Sequence, residues 1–212
     1  MDRLQDRISR GLGAAARAIG VRTDAYRPSD ISDPLAPRNR FLRLHAAFSA
    51  ADSKFGHPSA YGAALWQGVF DSAYTLPGDY LAQETGTWFV ASQERLLPIL
   101  CVRANRVVSF SRAAAPTANG VNDYGGVMLT SATPVLTNWP ASVLGVGGGG
   151  RPEAGLPSDS SIPYWTVLLP AFPGVLLRPS DLMTDELGRT ATVSAAELTE
   201  LGWRLTVKQA TT

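Results

Sequence analysis

The residue types most often used for catalysis and metal binding are scarce in this sequence. It holds two histidines, His45 and His57, and one cysteine, Cys101. No H-x-x-H, C-x-x-C or H-E-x-x-H spacing occurs, so a metal site built on His or Cys is not predicted. We interpret His45 as a half-buried strand residue, His57 as a solvated loop residue and Cys101 as a small core residue. These residues therefore predict no catalytic, cofactor-binding or metal site.

A glycine-rich run, GVGGGGRP at residues 145–152, raises the question of phosphate binding. A phosphate-binding loop would end in Gly-Lys-Ser/Thr, and a dinucleotide-binding loop would open a helix. Here Arg151, Pro152 and Glu153 follow, and no helical pattern begins. We therefore predict a flexible linker at this point.

Carboxylates are the remaining candidates for chemistry, because a glycosidase needs only two of them placed across a sugar. The available acidic residues are Asp71, Asp79, Asp123, Asp181, Asp185 and Glu186. All lie at turn signals, where Asp is favoured because its side chain accepts hydrogen bonds from nearby backbone amides. We interpret them as turn residues, and we predict that the protein is not an enzyme.

Charge is distributed unevenly along the 212 residues. Residues 1–43 contain nine arginines and five aspartates, whereas the remainder contains ten basic and thirteen acidic residues. Clustered arginine can neutralise nucleic-acid phosphates, but the interleaved aspartates weaken that field. We therefore expect the basic N-terminal region to dock on a protein neighbour, with at most non-specific contact with DNA.

Residues 2–19 predict an amphipathic helix. Apolar residues recur there every three or four positions, and the arginines lie mostly off that stripe. So short a helix is marginal alone and needs a partner surface, either on its own body or on a neighbouring subunit. Residues 23–40 contain three prolines and predict an extended tether. The residues expected to dock this arm are Arg3, Leu4, Arg7, Ile8, Arg10, Leu12, Arg17, Tyr26 and Arg27.

The remaining residues, 41–212, predict one β-rich body. Five short runs between residues 64 and 112, rich in aromatic and β-branched residues, are separated by turn signals about every ten residues, a spacing typical of a small barrel or sandwich. The closing block predicts a second group of strands that joins the same barrel, with one helical turn at ELTELG, residues 197–202. Residues 113–126 and 143–161 predict long Gly/Pro-rich surface loops. No repeat with a period of 20–50 residues is visible.

The predicted architecture is thus mainly β: a barrel or sandwich body, an arm at residues 1–40 that the fold does not need, and two long loops. Residues 1–20 are interrupted by aspartates and arginines, and no run of eighteen apolar residues follows. We therefore expect a protein made in the cytosol, without a membrane partner.

Three segments carry a resemblance to a known class of protein. They are GDYLAQETGTWFVASQERLLPILCVRANRVVSFSR (78–112), YWTVLLP (164–170) and DELGRTATVSAAELTELGWRLTVKQ (185–209), preceded by a helix and a YRP tether. Together they resemble tailed-bacteriophage virion structural proteins of the head-to-tail connector, collar or tail adaptor type. The likeness extends over most of the chain, and its motifs are structural.

The resemblance implies a ring subunit around the DNA channel, located in the virion and assembled in the host cytoplasm. Its partners would be further copies of itself, in six- or twelve-fold rings, and neighbouring portal, adaptor, tail-tube, sheath or baseplate proteins. A head-to-tail connector or neck protein is the first expectation and a tail or baseplate adaptor the second. A carbohydrate-binding or sugar-processing virion protein is a third alternative, from a different class.

Overall fold

The computed structural model describes residues 3–50, 64–113, 132–145 and 164–209. These residues form one α-helix, one short 3-10 helix at Pro37–Asn39 and twelve strands. Helix α1 spans Arg3–Ile19. The first six strands are β1 (Val21–Tyr26), β2 (Arg40–Ala50), β3 (Leu65–Val69), β4 (Tyr80–Gln83), β5 (Gly86–Ser92) and β6 (Ile99–Ala104). The other six are β7 (Arg106–Arg112), β8 (Thr133–Gly145), β9 (Tyr164–Leu169), β10 (Leu182–Asp185), β11 (Thr190–Thr199) and β12 (Gly202–Gln209).

The strands form two closed antiparallel barrels, so the prediction of a mainly β protein is confirmed. The first barrel has the strand order β1-β2-β3-β6-β5-β4, and the second has β7-β8-β9-β12-β11-β10. A single residue, Asn105, separates β6 from β7. The expectation that the closing strands would join the first group in one barrel is wrong, because they pair with β7 and β8 instead. Within the closing block, the segment GVLLRPSD at residues 174–181 is a loop.

The predicted boundary at residue 40 falls inside the first barrel. Strand β1 pairs with β2 on one side and with β4 on the other, and these two pairings close the barrel. The chain after β1 then touches the second barrel, where the Ile31 carbonyl accepts hydrogen bonds from Thr137 N and Trp139 Nε1, each 2.9 Å long. Residues 21–40 are therefore part of the fold rather than a separate tether.

Two hydrophobic clusters follow from the alternation along the strands. The interior of the first barrel contains Trp88, Val90, Ile99 and Cys101 among other residues. The neighbouring residues on the same strands point outward, yet they are also buried because they pack against the second barrel. These outward residues are Tyr80, Phe89, Ala91 and Val102, and they belong to the core cluster of the second barrel. Residues 99–102 of β6, Ile-Leu-Cys-Val, are continuously apolar because they face a hydrophobic cluster on each side of the strand.

The two barrels have the same strand topology. Adding six to each strand number of the first barrel reproduces the strand order of the second. The Asp79 carboxylate accepts hydrogen bonds from Arg27 Nε, 2.8 Å, and Leu76 N, 2.8 Å. At an offset of 102 residues, Asp181 accepts from Arg112 Nε, 2.7 Å, and Arg178 N, 2.8 Å. The two aspartates are thus 102 residues apart and the two arginines 85, both well beyond the period of 20–50 residues typical of repeat proteins.

The two barrels differ on one outer face. In the first barrel the row Tyr80, Phe89 and Val102 is apolar and packs against the second barrel. The corresponding row in the second barrel is Leu182, Thr192 and Lys208. Lys208 is exposed, and Leu182 and Thr192 are half-buried. The first barrel therefore has an apolar outer face that packs against the second barrel, whereas the equivalent face of the second barrel is more polar.

The segment at residues 187–209 closes the second barrel. Strand β11 pairs with β10 and β12, and β12 pairs with β9, so neither strand has a free edge for a neighbour. The helical turn expected at ELTELG is wrong: Leu198 pairs with Trp203 across a hairpin whose tip is residues 200–201. Of the two predicted long loops, residues 114–126 and 146–161 lie outside the described residues, and 143–145 belong to β8.

Candidate functional site

The residue types considered for catalysis do not gather at one place in the described structure. His45 is exposed on β2, and His57 lies outside the described residues. Cys101 is fully buried in the first barrel, and that burial raises the pKa of its thiol, which disfavours the reactive thiolate. Across the four described stretches, no group of three or more His, Cys, Asp or Glu side chains could hold a metal ion.

The carboxylates with the best-defined surroundings hold turns. Asp79 and Asp181 have side chains that are only 2% exposed, and each forms a paired hydrogen bond with one guanidinium group. These hydrogen bonds raise the pKa of Arg27 and of Arg112. Both carboxylates also accept a backbone amide within their own turn, as the sequence predicts for turn aspartates. Arg27, one of the residues expected to dock the arm, joins the end of β1 to the Asp79 turn of the first barrel.

Helix α1 rests on its own first barrel, against β2 and β3. The buried side of the helix, here called the docked side, consists of Ser9, Gly13 and Ala16. Ser9 Oγ lies 2.9 Å from Ser72 Oγ, and a Cβ atom added to Gly13 would lie 3.2 Å from the Asp71 Cβ. Small side chains thus set the close approach of the helix to the barrel.

The bulky apolar residues of α1 lie on a different side of the helix. Because successive residues are about 100° apart, Leu4, Ile8, Ala15 and Ile19 form a stripe roughly a third of a turn from the docked side. In this apolar stripe, Leu4 is 51% exposed and Ile19 is 70% exposed. Leu12, at the edge between the two sides, is half-buried and packs against the interior cluster of the first barrel. The largest apolar side chains at the two ends of the helix therefore face away from the barrel.

The basic residues of α1 are also directed outward. Arg3, Arg7, Arg10 and Arg17 are all exposed, and none has an ion-pair partner among the residues that the structure describes. Asp6 is the one acidic residue in the helix. Of the nine residues expected to dock the arm, these four arginines and Leu4 are exposed. Ile8, Leu12 and Tyr26 are half-buried, and Tyr26 packs against the cluster between the barrels.

A groove lies where the two barrels meet, and the sequence does not predict it. Its volume is about 650 Å³, and it is lined by outward residues of the first barrel, by β9 and by the β11–β12 hairpin. Three leucines in its lining, Leu65, Leu198 and Leu201, are 44%, 55% and 42% exposed. Two acidic residues of the hairpin, Glu197 and Glu200, also line the groove. Glu197 pairs with Arg204, whereas Glu200 has no ion-pair partner in the described part of the chain.

Comparisons of the chain with protein-family models, curated proteins and solved structures find no match. Within the described residues, no helix has the length and hydrophobicity needed to cross a bilayer.

The two aspartate-centred turns share the pattern Pro-x-Asp, at residues 77–79 and 179–181. The same pattern also occurs at residues 28–30 and 157–159, so it does not identify the pair by itself. The groove has no sequence signal, because its lining leucines come from three separate segments, at residues 65, 168–169 and 198–201.

Proposed function

We propose that this chain is a structural, non-enzymatic subunit of a tailed-bacteriophage virion that forms a ring at the head-to-tail connector or neck, around the DNA channel. Its partners are further copies of itself and the adjoining portal, adaptor, tail-tube, sheath or baseplate proteins. The assignment to a virion rests on the resemblance of the three sequence segments, and the structure contributes a surface suited to subunit contact.

The observation that carries this proposal is the orientation of helix α1. Single exposed leucines are normal on protein surfaces, but this ordered helix leaves both Leu4 and Ile19 of one apolar stripe more than half exposed. Burial of a side chain such as Leu or Ile contributes about 1.5–3 kcal/mol, so the stripe retains a substantial driving force for association. The helix is held in place by its docked side and can present that stripe to another subunit.

The surroundings of the carboxylates support a structural role. Asp79 and Asp181 are engaged with arginines and with their own turns. A glycosidase would instead need two carboxylates facing a substrate cleft. These contacts give both aspartates a role in stabilising the fold.

Negative-stain electron microscopy of the purified full chain tests the proposal. We expect closed rings of six or twelve copies, because a head-to-tail contact that closes on itself generates a ring. Trimeric spikes or single particles of one chain, under conditions in which the protein stays folded, would contradict it.

A further inference from the structure

We infer that the apolar stripe of helix α1 in one copy packs into the groove between the barrels of the next copy. This inference rests on the proposed function and adds to it the two surfaces that meet in the ring.

Shape and polarity favour this pairing. The stripe presents Leu4 and Ile19 near the two ends of the helix, and the groove presents Leu65, Leu198 and Leu201. Both surfaces are apolar and partly exposed in a single chain. An amphipathic helix that lays its apolar side into a hydrophobic groove is a common mode of protein recognition.

Charge favours the groove over a second helix as the partner of the stripe. Helix α1 carries four arginines and one aspartate, so two copies of it packed side by side would repel each other. The groove is lined by two acidic residues and one basic residue, Glu197, Glu200 and Arg204. Glu197 and Arg204 pair with each other, which leaves Glu200 without an ion-pair partner in the described regions. An arginine that flanks the stripe, such as Arg7, would supply the missing charge.

The helix of the same chain does not fill its own groove. It is anchored beside Asp71 and Ser72, just beyond the end of β3, whereas Leu65 at the start of β3 lines the groove. Six residues of extended chain span roughly 20 Å. Strand β1 starts two residues after the end of α1, so the helix cannot swing across the barrel while β1 stays paired.

A contact between two different surfaces is heterologous, and repetition of it gives a ring when the rotation closes. It also makes a specific prediction about mixtures. A copy with a damaged stripe keeps a working groove, and a copy with a damaged groove keeps a working stripe.

The test uses Ile19→Asp in the stripe and Leu201→Asp in the groove, both at exposed positions. The matched control is Leu187→Asp, a 61% exposed leucine in the turn between β10 and β11, at the opposite end of β11 from the groove. Masses are measured by size-exclusion chromatography with light scattering, and circular dichroism checks the fold of each variant. We expect wild type and Leu187→Asp to form the full oligomer and each of the other two variants to be monomeric. An equal mixture of the two monomeric variants should form a dimer that contains one copy of each.

A charge exchange provides a second test that does not alter the apolar contact. Arg7→Glu and Glu200→Arg should each weaken assembly, and a chain that carries both substitutions should recover it. Failure of the double variant to recover would contradict the pairing of helix and groove.

The outcomes separate the two proposals. If wild type forms rings and neither Ile19→Asp nor Leu201→Asp changes them, the inference is wrong and the ring proposal stands. Two monomeric variants that do not combine when mixed would also overturn the inference. A wild type that is monomeric at every concentration tested would overturn the proposed function as well.

Discussion

At the residue scale, buried carboxylates organise the turns of both barrels. Asp79 and Asp181 each join an arginine near the end of the first strand of their barrel to the turn before the fourth strand. In each barrel this turn contains a residue with positive φ, Gly78 at 95° and Ser180 at 74°. Glycine adopts this conformation without steric cost, whereas serine is strained in it. The hydrogen bonds that the adjacent Asp181 carboxylate accepts help to hold Ser180 in that geometry.

A third carboxylate, Asp185, holds the turn between β10 and β11. It accepts hydrogen bonds from Leu187 N, 3.0 Å, Arg189 N, 2.9 Å, and Arg189 Nε, 2.7 Å. Burial acts to raise the pKa of Asp185, but these hydrogen bonds and the Arg189 charge outweigh it, so the pKa is lowered. The ionised form therefore stabilises the folded state.

We predict that Asp185→Asn lowers the free energy of unfolding by about 1–3 kcal/mol at pH 7, because charge-assisted hydrogen bonds are lost. A lowered folded-state pKa gives stability that is present above the unfolded-state pKa of about 3.9 and is lost as the pH falls through the folded-state value. The difference between wild type and variant should therefore shrink below about pH 4. Urea unfolding at several pH values measures it, with Glu94→Gln, in an exposed loop, as control. An undiminished difference at low pH would contradict this role for Asp185.

At the element scale, helix α1 depends on close approach at its end. The Gly20 amide donates to the Ala16 carbonyl over 2.7 Å. A Cβ atom added to Gly20 would lie 2.7 Å from the carbonyl carbon of Ala46 on β2. Because that neighbour is backbone in a paired strand, it cannot move aside at low cost. Gly20 therefore sets how the helix meets the first barrel.

We expect Gly20→Ala to weaken the docking of α1 by about 1–3 kcal/mol, as forced overpacking does. Hydrogen exchange in the amides of α1 should become faster, while the barrel strands keep their protection. Gly11→Ala is the matched control, since a Cβ atom there meets no atom within 4 Å. It should instead stabilise the helix by up to about 1 kcal/mol, because alanine is the better helix former. Equal exchange rates in Gly20→Ala and wild type would show that the close approach is unimportant.

Local patterns predicted most of the elements but not all of their contacts. The five runs between residues 64 and 112 correctly predicted strands, and the spacing of Leu4, Ile8 and Leu12 correctly predicted a helix. The helical turn at ELTELG was wrong because Leu198 and Trp203 face each other across a hairpin, and that pairing outweighs local helix propensity. Which side of α1 faces the barrel depends on the shape of the barrel surface. The hydrophobic periodicity of the helix carries no information about that surface.

At the scale of the whole molecule, the two barrels share one core. Tyr80 of the first barrel donates its hydroxyl to the Pro140 carbonyl of the second over 2.8 Å, and its ring meets the Trp139 ring edge-on at 6.1 Å. Burial raises the pKa of Tyr80 well above its ordinary value, so the hydroxyl keeps its proton for this contact. The barrels therefore support each other as one folded unit.

This shared core changes what can be removed from the chain. Residues 1–40 were expected to be dispensable for folding, but they include β1, which closes the first barrel, and Ile31, which touches the second. Removal of residues 1–40 should therefore disrupt the fold. Removal of residues 1–19 takes away α1 alone and leaves every strand of both barrels in place.

The central claim is that helix α1 joins copies of this chain, and the mass of a chain that lacks residues 1–19 tests it most directly. Sedimentation velocity should show an oligomer for the full chain and a monomer for the shortened chain, whose circular dichroism spectrum should lose the contribution of α1 and keep its β-sheet signal. A shortened chain that assembles as the full chain does, or a full chain that sediments as a monomer, would contradict the claim.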